Sequence, residues 1–488
     1  MSDRVPLLLD RIRAAVARDP DAMAFVGRDM ITYGGMRALV GSAMRMLDSR
    51  GIRTGQVVAI TMSQSPLHVI VYLALARLGA ISISVTPIAN DAARAALYRR
   101  FGVTAVVSEL ENAGAPGVML VHLRSLPAHR DDPLMDEWPY EPVASTPLRI
   151  ALTSGTVGEQ KGFELTHGDV ALRIDRRMLG GDEAPRLLPQ NLHMTGSISL
   201  AGVTLSRGGA IVFPPGYDSQ SLFVAIREHR VSLIAIPPAH AAAMLSPLKG
   251  DTPAFPSLTH LRLIGGTPSP ALVEEIRRKM TPHVIFTYST GEAGVISIAT
   301  PEIMAEAPGS SGRIAPGVTL EIVDAQDRAL PAGEIGEIRV KGPAMARGYL
   351  GGVDADRFRD GWFYPRDSGY LTKDGLLYVQ GRVDEILNVG GRKLTPNYAE
   401  SILESHPSVG EAAVFPLDGM SLGAIVVPKA PVDWPNLDAF ARLRLDVMAP
   451  RRYYEAERLP RNDLGKIRRP DLAALVAGDG ATLRHPSK

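Results

Sequence analysis

The 488-residue sequence contains no cysteine, which excludes disulfides, zinc–thiolate centres and a thiol nucleophile. An excess of charge of either sign is lacking as well: 53 Lys and Arg stand against 52 Asp and Glu. With no basic excess to neutralise a phosphate backbone, nucleic acid is not expected as a partner. Long apolar runs are missing too. The nearest, Val69 to Ala89, is interrupted by Arg77 and Gly79 and reads as a helix followed by a buried strand, not as a membrane span. The stretch Met1 to Pro20 lacks the unbroken apolar segment of a secretory signal, because Asp3, Arg4, Asp10, Arg11 and Arg13 are spread through it; it reads as an amphipathic helix. A cytoplasmic location is expected. Neither internal repeats nor low-complexity tracts occur.

What is present is the composition of a folded protein, 45% apolar and 22% charged, at a length that calls for two or more domains. From Val57 onward strand-like and helix-like segments alternate: Val57 to Met62, a helix opened by Pro66 and running to Leu78, Ile81 to Val85, a helix from Asp91 to Phe101, then Thr104 to Ser108. Such alternation implies a mainly parallel sheet with helices on its faces. It continues through Ala210 to Phe213 and Val231 to Ile236. After Pro301 short β-like runs, Val318 to Val323 and Glu337 to Val340, alternate with Pro and Gly turns, the texture of antiparallel sheet or barrel. Past Gly381 come a strand-like Glu385 to Val389, a helix Pro396 to Ser405 and strands at Ala412 to Phe415 and Ala424 to Val427, enough for a small α+β domain.

The strongest local signal is the loop Thr153-Ser154-Gly155-Thr156-Val157-Gly158-Glu159-Gln160-Lys161-Gly162, which follows the apolar run Leu148 to Leu152. Glycines let backbone amides turn toward an anion, hydroxyls add donors and the lysine adds charge. The GxxxxGK[ST] spacing of a Walker A loop is absent. On composition alone a flexible surface loop fits as well as a phosphate cradle.

Further segments follow in order: Leu188-Pro189 with His193 and Gly196; Gly265-Gly266-Thr267-Pro268; Tyr288-Ser289-Thr290-Gly291-Glu292; Gly333-Glu334-Ile335-Gly336-Glu337-Ile338 with Gly348-Tyr349; Gly361-Trp362-Phe363-Tyr364-Pro365-Arg366-Asp367; Gly381-Arg382-Val383-Asp384-Glu385; and Leu459-Pro460-Arg461 with Gly465-Lys466. With the loop, they resemble the ordered signatures TSGTTGxPKG, LPxxH, GGxP, YGxTE, GExGEI…GY, GWxxTGD, GRxDD and LPR…GK of the adenylate-forming superfamily: acyl-CoA synthetases, peptide-synthetase adenylation domains and luciferases. In type the chain is most similar to acid–CoA ligases.

The resemblance implies an α/β protein with a large N-terminal domain, residues 1–380, of parallel-rich sheets, flanking helices and a β-barrel-like subdomain. A hinge at 381–384 and a small mobile C-terminal α+β domain at 385–488 would follow. It implies that a carboxylate attacks the α-phosphate of ATP to give an acyl-adenylate and pyrophosphate, and that CoA then takes the acyl group. Charge on the phosphoryl oxygens needs donors, lysines and Mg2+. Thr153, Ser154, Gly155, Thr156, Gly158 and Lys161 would hold the β- and γ-phosphates. Glu292 would bind the metal, a hard cation favouring carboxylate oxygen. Asp367 and Arg382 would contact the ribose, and Tyr288, with Ser289 and Thr290 beside it, would enclose the adenine against Gly266, Thr267 and Pro268. Lys466 would reach the α-phosphate from the small domain and Asp384 would be the hinge. Gly390, Gly391 and Arg392, with Lys393, would meet the pantetheine and phosphates of CoA. His193 would border the acyl pocket or the pantetheine tunnel, although a lone histidine after a proline turn also fits a satisfied core residue.

Several positions depart from the family pattern: Val157 and Gln160 in the loop, Gly291 before the glutamate, Pro365-Arg366 before Asp367, and Pro396 to Glu400, which keeps one of two glutamates. The segment Thr195 to Leu200 offers no carboxylate for an α-amine, which argues against an amino acid substrate. Small residues at Gly196, Gly265, Gly266, Thr287, Ala293 and Gly294 leave room for an aryl or medium-length acyl group. Acceptors other than CoA, a carrier-protein phosphopantetheine or an amine, fit the same motifs, as does a catalytically silent nucleotide-binding homologue. The sequence leaves the oligomeric state open, a homodimer included.

Overall fold

The computed structural model describes residues 6–87, 90–126, 140–153, 160–175, 184–385, 387–389, 392–418, 421–461, 467–478 and 480–486. A six-stranded sheet runs in the order Met119–His122, Val103–Ser108, Val57–Thr61, Ile81–Ser84, Pro147–Leu152, Gly162–Thr166. Its neighbours are parallel except for the last pair, an antiparallel hairpin that brackets the glycine-rich loop.

Among the described residues the larger sheet has 15 strands. Six of them, Val284–Thr290, His260–Leu263, Leu233–Ile236, Arg186–Leu188, Ala210–Phe213 and Met23–Gly27, lie side by side and parallel. The antiparallel part starts at Gly294–Ala299, before the proline where the texture of the sequence changes. It then runs through Gly312–Ile314, Leu376–Arg382, Asp367–Leu371 and Gly336–Lys341 as a continuation of the same sheet.

The helices Tyr33–Ser49, Pro66–Leu78 and Thr195–Ser206 share one core with strands of both sheets, so they form the layer between them. The helix Pro66–Leu78 explains the apolar stretch around Val69. Proline sits in its first turn, where no amide hydrogen is needed, and every residue but Leu67 is buried. It stops at Gly79, whose φ of +72° is left-handed; a Cβ there would also lie 2.4 Å from the Tyr140 ring, so both backbone and space require glycine. Tyr33 anchors this layer to the larger sheet by donating to the carbonyls of Leu205 and Gly209 at 2.9 and 2.7 Å. Among the described residues no helix is long and apolar enough to cross a membrane.

After Arg382 the chain makes a 3-10 turn, Val383–Glu385, and a short hairpin of Leu387–Val389 with Arg392–Leu394. The strand expected from Glu385 therefore begins later, because the chain must first leave the sheet. Beyond it the helix Pro396–Glu404 and the strands Val409–Asp418, Ser421–Pro428, Arg452–Glu455 and Thr482–Pro486 build a four-stranded sheet. This unit has its own core, with Ala399, Leu403, Val414, Leu422 and Leu437 fully buried.

Candidate active site

Open α/β sheets bind ligands beyond the carboxyl ends of their parallel strands. Four of the sequence motifs emerge there. Thr153 follows Pro147–Leu152, His193 follows Arg186–Leu188, Gly265 follows His260–Leu263, and Tyr288 to Glu292 close Val284–Thr290.

Tyr288, Asp367 and Arg382 are brought together. The Tyr288 hydroxyl donates to Asp367 Oδ2 at 2.5 Å, and Asp367 pairs across the sheet with Arg382, whose Nη1 lies 3.6 Å from Oδ1. Burial, and then the Asp367 carboxylate, holds the Tyr288 phenol well above its ordinary pKa, so it stays a donor. Arg382 also donates to the Pro365 carbonyl at 2.6 Å. Thr290 accepts from the Ala293 amide through its hydroxyl, closing the turn that carries Glu292, while Ser289 is exposed. The turn Gly265 to Pro268 faces open space: a Cβ at Gly265 or Gly266 would have no heavy atom within 4 Å.

Two departures from the family pattern acquire a physical account here. Arg366 stands with φ at +65°, a conformation costing a non-glycine residue about 1–2 kcal/mol. Its side chain is held by ion pairs with Asp356 and Glu337, and its carbonyl accepts from the Val383 amide at 2.8 Å. Gly291 lies where a Cβ would come within 3.2 Å of the Phe163 ring, so a larger residue would have to displace that ring.

The glycine-rich loop is closed at its base. The Thr153 amide donates to the Lys161 carbonyl at 2.9 Å, the Lys161 amide to Thr153 Oγ1 at 3.1 Å, and Gln160 Nε2 to the Thr153 carbonyl at 3.0 Å. Gln160 thus makes a hydrogen bond that a proline there could not. Ser154, Gly155, Thr156, Val157 and Gly158 lie outside the described residues. Lys161 pairs with Asp354 and stands 5.6 Å from the centre of the Tyr349 ring. The Tyr349 hydroxyl donates at 2.5 Å to Oε1 of Glu292, which is 7% exposed. Burial, then Glu292, raises the Tyr349 phenol. Glu292 is the one metal ligand that the sequence nominates, and its donor set fits Mg2+: Oε2 has no hydrogen-bond donor among the described residues. One carboxylate oxygen is what Mg2+ commonly takes from a protein, keeping waters and phosphate oxygens for its other positions.

Behind this cluster the buried Arg173 clamps two segments. It donates to the carbonyls of Gly291 and Glu292 at 2.8 Å each, and to that of Ala344 at 3.0 and 2.9 Å. Arg173, Tyr349 and Asp354 are functional neighbours to which sequence reasoning gave no role. Tyr349 had a signal, as the end of the Gly348-Tyr349 motif. Arg173 and Asp354 had none.

Of the remaining motif residues, His193 is largely buried, and its pKa is pushed down to about 4 by burial and then by Arg149. Its ring meets that of His68 edge-on at 4.9 Å. Gly196 borders open space, Thr287 is buried, and Gly294 adopts φ +72° beside Arg173. In the small unit, Asp384 lies in the turn Val383–Glu385 and Arg392 in the hairpin strand, while Gly390, Gly391 and Lys466 lie outside the described residues. Arg469, three positions past that lysine, bonds Glu385 at 3.1 Å, Glu400 at 2.7 and 2.9 Å and Asn397 at 2.9 Å, which gives the retained glutamate of its motif a partner.

A glycine-rich loop, a buried carboxylate and a tyrosine–aspartate–arginine cluster, all at strand ends, fit a nucleotide-using enzyme of the adenylate-forming class. The chain belongs to the AMP-binding enzyme family, which it matches over residues 12–350. An indoleacetate–CoA ligase of Aromatoleum aromaticum is 31% identical over 348 residues, 68% of each chain. A 2-succinylbenzoate–CoA ligase of Bacillus licheniformis is 31% identical over 379 residues, 75% of this chain and 74% of its own. The fold is shared with an amide bond synthetase of Marinactinospora thermotolerans, at 24% identity and a TM-score of 0.84, covering 96% of this chain and 99% of the other.

Proposed function

We propose that this chain is an AMP-forming acid–CoA ligase. A carboxylate oxygen attacks the α-phosphorus of ATP, the bond to the β-phosphate bridging oxygen breaks, and pyrophosphate leaves. The thiol of CoA then attacks the acyl carbon and AMP departs. The observation that carries this reading is the joining of Lys161 and Glu292 through Tyr349, one strand end away from the Tyr288–Asp367–Arg382 cluster.

Lys161, Thr153 and the loop Ser154 to Gly158 take the β- and γ-phosphates, and Lys161 exchanges Asp354 for them. Glu292 holds Mg2+, which supplies charge neutralisation on the phosphates. Asp367 and Arg382 grip the ribose, with Tyr288 fixing the aspartate and presenting its ring to the adenine beside Gly266, Thr267 and Pro268. Lys466 meets the α-phosphate, Asp384 is the pivot of the small domain, and Gly390, Gly391 and Arg392 receive CoA. An aryl or medium-length acid fits against His193, Gly196, Gly265, Thr287 and Gly294, where small residues leave room. The enzyme works in the cytoplasm, where ATP and CoA are supplied.

The test supplies ATP, Mg2+ and a panel of carboxylic acids with and without CoA, and measures pyrophosphate and thioester. Acid-dependent pyrophosphate release followed by CoA thioester is expected. Release without thioester under turnover would move the acceptor to a carrier protein or an amine. Lys466→Ala is expected to cut adenylate formation by about 100-fold or more, the scale of one transition-state charge contact. It should spare thioester formation from preformed adenylate, and equal loss in both steps would remove the lysine from that role.

A further inference from the structure

The strand Pro147–Leu152 that delivers Thr153 carries an arginine in its middle. Arg149 is 2% exposed, flanked in the sheet by Ser82 and Leu165, and burial lowers its pKa. A buried guanidinium ordinarily faces a carboxylate, because taking its charge out of water costs several kcal/mol. Here Nη2 donates to the His193 carbonyl at 2.8 Å, while Nε and Nη1 have no partner, and no carboxylate among the described residues pairs with it.

Its neighbours are donors or neutral rings. His68, fully buried, makes no hydrogen bond of normal geometry through its ring nitrogens, which meet only the Ser63 backbone; Nδ1 of His193 and the hydroxyl of Thr195 are likewise orphaned. Tyr72 completes the surroundings. Burial, then the His193 and Arg149 charges at His68 and the Arg149 charge at His193, keeps both imidazoles neutral against the opposing pull of the Ser63 and Met62 backbone. The cluster therefore presents an incompletely paired cation and orphaned polar groups beside His193, one of the residues assigned above to the acyl group. It stands four residues, about 13 Å of strand, before the phosphate loop.

We infer that Arg149, His68 and His193 form an anion subsite at the far end of the acyl pocket, and that the acid activated here carries a second acidic group. One carboxylate of such a diacid reaches the α-phosphate while the other pairs with the arginine. The inference rests on the ligase reading for the first carboxylate and on the Arg149 cluster for the second.

Matched acids test it: terephthalate against benzoate, 4-carboxyphenylacetate against phenylacetate, and suberate against octanoate. Acid-dependent pyrophosphate release is measured alongside calorimetric binding of each acid to the protein saturated with the α,β-methylene analogue of ATP and Mg2+. The expected result is a diacid-to-monoacid ratio of kcat/KM of at least about tenfold, the scale of one charged hydrogen-bonded pair. Arg149→Met should bring that ratio toward one, chiefly by raising KM for the diacid, and Arg149→Lys should restore part of it. Monoacids turned over as well as diacids would overturn the subsite and leave the ligase reading standing. Tighter diacid binding with no pyrophosphate from any acid would uphold the subsite and overturn the ligase reading; neither signal would overturn both. The wild-type ratio decides the matter even if the methionine variant fails to fold.

Discussion

His167 provides a pH-dependent lesion whose size follows from its surroundings. It opens the helix His167–Asp175, is 1% exposed, and neither ring nitrogen has a hydrogen-bond partner. Burial dominates over the nearby Asp10 and pushes its pKa from 6.5 down to about 4. Between those values the unfolded chain binds a proton that the folded chain refuses, so stability rises with pH and falls on acidification. At about 1.4 kcal/mol per pH unit, the loss amounts to about 3 kcal/mol by pH 4, with no further loss below it. That is a sizeable part of the 5–15 kcal/mol that holds an ordinary domain folded. Replacement by phenylalanine keeps a flat ring and removes the titration. Urea unfolding of wild type and His167→Phe is compared at steps from pH 7.5 to 4, and the difference between them is read, because titration of distant carboxylates cancels in it. The variant should gain on the wild type by about 3 kcal/mol over that range. A difference constant to within about 0.5 kcal/mol would show that the imidazole titrates normally and that its burial carries no protonation cost.

The phosphate side and the clamp behind it separate in two further experiments. Lys161→Met should lower ATP–pyrophosphate exchange by about 100- to 1,000-fold. It should scarcely move the thermal midpoint, since a partly exposed pair such as Lys161 with Asp354 is worth about 0–1 kcal/mol. Arg173→Met should do the reverse in order of cause. It strips charged donors from three carbonyls, lowers stability by at least about 3 kcal/mol in chemical denaturation, and weakens ATP binding as a consequence of the disordered Glu292 segment.

Much of the fold was legible because burial leaves periodic traces. The helix Pro66–Leu78 lies where its proline and glycine place it, and the parallel strands follow their apolar runs to within a residue or two. The antiparallel turn of the large sheet at Gly294 was not legible, since Val295 to Ile298 is a short apolar run that strand partners alone orient. The candidate site was legible as motifs and illegible as a network. Tyr288, Asp367 and Arg382 meet as their order implies, but the bond of Tyr349 to Glu292 and the pairing of Lys161 with Asp354 depend on partners far away in the chain. Arg149 shows the limit most plainly. One polar residue inside an apolar strand barely disturbs the pattern, so its significance rests on what does not face it in the folded protein.

The reach of Arg173 has a kinetic consequence. Its hydrogen bonds close loops of 118 to 171 residues between the helix after the phosphate loop and the segments carrying Glu292 and Ala344. Contacts so distant in sequence bear the whole entropy of loop closure before they return anything, and are expected to form after the nearer pairings of each sheet. The candidate site is then expected to be among the later parts of the molecule to assemble. Interactions absent from the folding transition state act on escape from the native state. Bound ATP is accordingly expected to slow unfolding without speeding folding, and damage to this clamp to raise the unfolding rate while refolding keeps its usual pace.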